Sequence, residues 1–142
     1  MQFVISGQTP AKKNSREVLR NRANGKLIIK PNAAFDAWQQ AALYELIKVP
    51  KFGTGRVQID YMFYVANNVP RDLANMIASI NDCLQAAKCD TAFIRGKVRP
   101  VKGTGILAGD NWQLLRIGSA DAAIDRENPR AIITVTEIPP VA

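Results

Sequence analysis

"RVQIDYMFYVANNVPRDLANMIASINDCL", residues 56–84, decides the fold class. Its first third alternates. Val57, Ile59, Tyr61, Phe63 and Val65 share one face at period two, which predicts a half-buried strand over 56–65. After the turn-forming "ANNVP" the period changes. Leu73, Met76, Ile77, Ile80 and Leu84 fall at helical spacing on an arc of about 100°, with Asn75, Ser79 and Asp82 on the opposite side. Asp72 precedes the first apolar residue, where a carboxylate caps a helix by accepting from its free N–H groups.

The flanks follow the same logic. "QFVIS" (2–6) reads as a strand, and 7–26 as a basic loop carrying Lys12, Lys13, Arg16, Arg20 and Arg22. "LIIK" (27–30) reads as a strand after the Asn24-Gly25 turn. Residues 31–48 read as a helix, capped by Asn32 and striped with Phe35, Trp38, Ala42, Leu46 and Ile47; Pro50 and Gly53 end it. In 89–105, Arg95, Lys97 and Arg99 alternate with Ile94, Gly96 and Val98, and Lys102 follows, as in a basic ribbon or arm. Residues 108–118 read as a turn entering a strand, and 125–138 as a turn and a closing strand. The order β-loop-β-α-β-α-arm-β-β predicts an α+β fold: one domain over 1–142, with a small mixed sheet and two main helices.

Composition narrows the chemistry. There is no histidine, which excludes Ser-His-Asp triads, Cys-His dyads and His-ligated zinc. Cys83 and Cys89 match no zinc spacing, and Cys83 reads as a small apolar filler. Hydrolysis would need carboxylates, lysine, tyrosine or a hard cation; with oxygen ligands the natural ion is Mg²⁺, with Mn²⁺ as a substitute. The formal net charge of +7 points to a polyanion, first of all nucleic acid. No apolar run is long enough to span a membrane, and the N-terminus lacks the basic start of a secretion signal, so a cytoplasmic protein is expected.

Two acidic positions stand out. Asp72 starts a helix, whose N–H groups and dipole also favour phosphate. Asp110 lies in the Gly109-Asp110-Asn111 turn before a strand. Carboxylates converging from such places would hold an ion that polarises a phosphodiester and acidifies a bound water. A plain cap and a plain turn are the alternatives. Asp82 also reads as a solvated helix-face residue, and Trp38 and Trp112 as core rather than base-stacking platforms.

Four segments together resemble the RusA family of Holliday-junction resolvases, small endodeoxyribonucleases often carried by phages. They are "GQTPAKKNS" (7–15), "RDLANMIASINDCL" (71–84), "GILAGDNWQLL" (105–115) and "DRENPRAIITVTEI" (125–138), and they span most of the chain in the family's order. The resemblance implies Mg²⁺-dependent cleavage of branched DNA by a homodimer, in recombination and repair, with no small-molecule cofactor. It assigns Asp72, Asp110 and Asp82 to the acidic site, with Asn75 beside them, and places an acidic residue near Asp60; Asp90 and Asp121 are reserves. Lys12, Lys13, Asn14, Arg16 and Arg71, with Arg95, Lys97, Arg99 and Lys102 of the arm, would meet phosphates; pairing with a carboxylate is the alternative for Arg71. Three positions depart from the pattern. Ala74 and Gly109 stand where it has aspartates, and Ala78 where it has a lysine. Ala74 is compatible with natural tolerance, with a deliberate inactivation, or with a chain that binds junctions without cutting them.

Overall fold

The computed structural model describes residues 1–11, 16–31, 33–52, 55–85, 91–94, 97–100 and 103–142, with the backbone alone at 16–19, 28–31, 91–94 and 97–100. The chain forms β1 (Gln2–Ser6), β2 (Arg16–Arg20), β3 (Leu27–Pro31), α1 (Ala33–Leu46), β4 (Val57–Val65), α2 (Leu73–Leu84), β5 (Thr91–Ile94), β6 (Lys97–Pro100), β7 (Leu115–Ile124) and β8 (Arg130–Glu137). The main sheet has the order β1-β8-β4-β7. β8 is antiparallel to β1 and β4, and β7 is parallel to β4, so the sheet is mixed and the fold α+β, as expected.

β4 decides where the core lies. Its odd-numbered residues from Val57 to Val65 are buried, and the alternate ones are half-buried on the other face. Both helices contribute to the covered side: Trp38 and Leu46 of α1 and Met76 and Ile80 of α2 join Phe63 and Ile133 in one cluster. Each such side chain contributes about 1.5–3 kcal/mol when removed from water. Among the described residues the second face carries no helix, and it keeps polar side chains such as Gln58 and Asp60.

Three expectations are corrected. Residues 7–26 are not loop throughout: β2 pairs with β3 as an antiparallel hairpin, because the turn at 21–26 closes it. There Asn21 N–H donates to the Lys26 carbonyl at 2.8 Å, and Gly25 takes a φ of 70°, open to glycine at little cost. Ile47 lies beyond the end of α1 and is 67% exposed. Ser79 is fully buried, although the wheel puts it opposite the apolar stripe. Its hydroxyl donates to the Pro10 carbonyl at 2.7 Å, so the start of the basic loop docks on that flank. The Asn32 cap lies outside the described residues.

The C-terminus of α2 would leave carbonyls unpaired. The returning chain satisfies them: Thr104 N–H donates to Cys83, Gly105 N–H to Gln85 and Leu107 N–H to Leu84, at 2.9–3.0 Å. The same contacts deliver the chain to the turn that holds Asp110. The basic ribbon read at 89–105 is a hairpin, β5 with β6, in its described part.

Candidate acidic site and basic hairpins

Asp72 is the N-cap of α2: its Oδ1 accepts from Asn75 N–H at 3.1 Å. The carboxylate is exposed. Asp72→Ala should cost about 1 kcal/mol, whereas Asp72→Asn should cost almost nothing, because asparagine caps as well as aspartate. Chemical denaturation of the two variants checks this. The Asn variant therefore separates the charge of Asp72 from its structural role.

Among the described residues Arg71 pairs with no carboxylate. It donates to the Asn67 side chain at 2.9 Å and to the Val69 carbonyl at 3.0 Å, holding the turn ahead of α2. Asn75 is half-buried, and its carbonyl accepts from Ser79.

Asp110 is exposed in the turn leading to β7. Asn111 closes that turn, with its carbonyl accepting from Leu114 and Leu115 N–H and its side chain from Gln113 N–H. Trp112 in this turn is 68% exposed, which corrects its reading as core; Trp38 is buried as expected. Asp110 is close enough to Tyr61 to add to a raised hydroxyl pKa. Burial is the main cause of that rise, and a hydrogen bond to Asn81 opposes it. The Tyr61 hydroxyl donates to Asn81 Oδ1 at 2.5 Å, inside the core.

Asp110 lies towards Tyr61 and Asn81, while Asp72 caps the helix about 13 Å along its axis from Asn81. The strands agree. Leu115, which follows the Asp110 turn, pairs with the first residue of β4, whereas Asp72 follows the last. Asp82 is half-buried on α2, next to Asn81.

Asp60 does not join either residue. It lies on the sheet face opposite Tyr61, where its Oδ1 accepts from Ser119 Oγ at 2.9 Å and its Oδ2 from Gln58 Nε2 at 3.4 Å. The sheet itself separates it from α2. Asp121 is exposed on β7, opposite Met62, and Asp90 lies outside the described residues. Among the described residues no three His, Cys, Asp or Glu side chains gather as a metal site.

The basic segments are only partly described. Lys12, Lys13, Asn14, Arg95 and Lys102 lie outside the described residues. Arg16 lies on β2, and Lys97 and Arg99 at alternate positions of β6. Arg20, Arg22 and Lys26 are exposed together at the end of the β2–β3 hairpin.

Sequence reasoning missed the Tyr61–Asn81 pair. A signal was present, since Asn81 stands four residues after Ile77 and three before Leu84, on the flank of the apolar stripe. The cluster of Gln58, Asp60, Arg116 and Ser119 had no such signal, because it depends on the pairing of β4 with β7. No helix among the described residues is long and apolar enough to cross a membrane. No family model matches the chain, and neither does a curated protein or a solved structure.

Proposed function

We propose that the chain is a structure-selective endodeoxyribonuclease acting on four-way DNA junctions. What carries the reading is the setting of its motifs. Arg71-Asp72 stands at a helix start, Asp110 in a turn ahead of a strand, and Asn128-Pro129-Arg130 at the entry to the closing strand. A short motif gains weight only from the structural context that its mechanism needs. The charge of +7 and the exposed cations of the β2–β3 hairpin support contact with phosphates. Exposed Trp112 beside Asp110 suits stacking on an unpaired base. The hydrolytic half rests on the resemblance.

A second reading is a junction-binding protein without cleavage. Ala74, standing where the resemblance has an aspartate, favours it.

One experiment separates them: cleavage of a labelled four-way junction, with linear duplex as control, in Mg²⁺ or Mn²⁺. The chain is compared with Ala74→Asp, Asp72→Asn and Asp110→Asn. Cleavage by the chain that is abolished in both Asn variants supports the enzyme with its reduced acidic set. Cleavage by Ala74→Asp alone marks a disabled resolvase. Binding without cleavage throughout leaves the binding module, and no preference for the junction over linear duplex removes both.

Replacing Arg20, Arg22 and Lys26 by alanine should weaken junction binding equally for all sequences. It should lower the slope of log K against log salt by about 0.9 for every phosphate that these cations neutralise, as read by titration at several salt concentrations.

A further inference from the structure

β7 is an edge strand: among the described strands it hydrogen-bonds to β4 alone. It runs from Leu115 to Ile124 and contains neither lysine nor proline, two residues that commonly block such edges. Ile117 and Ile124 are each about half exposed on it. We propose that β7 pairs antiparallel with β7 of a second copy of this chain, joining two sheets into one across a two-fold axis at Ser119.

The register of β4 is the ruler. Ser119 lies opposite Asp60, Arg116 opposite Gln58 and Asp121 opposite Met62, because the bulge at Gly118 drops one residue from the count. Arg116 and Asp121 thus stand two rungs on either side of Ser119. The alternate residues of β4 opposite them share one face, so both charges lie on the same face. Antiparallel pairing about Ser119 sets Arg116 of each copy opposite Asp121 of the other, as two reciprocal ion pairs. It also sets Ile117 opposite Ala120, a large side chain against a small one on the other face. The strand is complementary to itself in charge and in size, which is what an isologous interface requires. Registers shifted by two residues in either direction lose the charge match.

The inference rests on the homodimer that a junction nuclease needs to cut two opposed strands, but its test uses no DNA. Failure of the interface is thereby distinct from failure of the nuclease reading. Sedimentation of the full chain at micromolar concentration should give twice the 15.6 kDa mass of one chain. Arg116→Asp and Asp121→Arg should each weaken the dimer about tenfold or more, by placing like charges opposite one another. The double variant should restore it. Ser119→Cys should cross-link two copies under mild oxidation, because directly opposed residues of antiparallel strands lie within disulfide reach. Ile124→Cys should not, and the unsubstituted chain controls for Cys83 and Cys89. A monomer in the unsubstituted chain, a dimer indifferent to both charge reversals, a double variant that stays monomeric, or absence of the Ser119→Cys cross-link would each overturn the proposal.

Discussion

Replacing Phe63 by alanine is expected to remove about 3–5 kcal/mol of stability. Phe63 is fully buried at the middle of the sheet, between Ala131 on β8 and Ala122 on β7. Its ring lies 6.1 Å from that of Tyr61, nearly parallel. The alanines beside it offer no side chain long enough to fill the space that it would vacate. A domain of this size is stable by only about 5–15 kcal/mol, so one such cavity removes a large share. The adjacent Met62, half-buried on the other face, should lose only about 1 kcal/mol on replacement by alanine. Urea denaturation measures both through the midpoint at unchanged slope. Equal losses would mean that the covered face of β4 is misassigned.

The second large effect lies two residues away. Tyr61→Phe should cost about 1–3 kcal/mol, because Asn81 Oδ1 would stay buried without its donor. Asn81→Leu alone should cost a similar amount by stranding the hydroxyl. The double variant should cost less than the sum of the two, since it removes donor and acceptor together.

Alkaline pH gives an independent readout. Burial holds the Tyr61 hydroxyl protonated well above its ordinary pKa of 10.0. Above pH 10 the unfolded chain releases this proton and the folded chain keeps it, so the stability from this group is complete below pH 10 and falls as pH rises. The slope should approach about 1.4 kcal/mol per pH unit. Tyr61→Phe should flatten that part of the profile; an unchanged slope would place the hydroxyl in water.

Arg130 adds an acid-side effect. It donates to Asp125 at 2.8 Å and lies 4.0 Å above the Tyr64 ring. The hydrogen bond from Arg130 holds the Asp125 carboxyl below its ordinary pKa. The stabilisation from this ion pair is therefore present near neutrality and disappears as pH falls through the depressed value.

Local periodicity determined much of the fold. The alternation of 57–65, the helical spacing of 73–84 and the β-branched run before Glu137 each specify their element, because a side chain's face follows from its position along one strand or helix. Asp72 as a cap was equally legible, since the contact spans only three residues. Tertiary structure alone decided the rest. The parallel pairing of β7 with β4 put Asp60 beside Ser119 and away from α2. The docking of residues 7–11 buried Ser79, and the return of 103–107 to the C-terminus of α2 set Asp110 near Tyr61. These contacts join residues far apart in the chain, and no period in the sequence encodes which strand edge meets which. Residue types named the carboxylates and cations that chemistry could use, and only long-range packing determined which of them stand together.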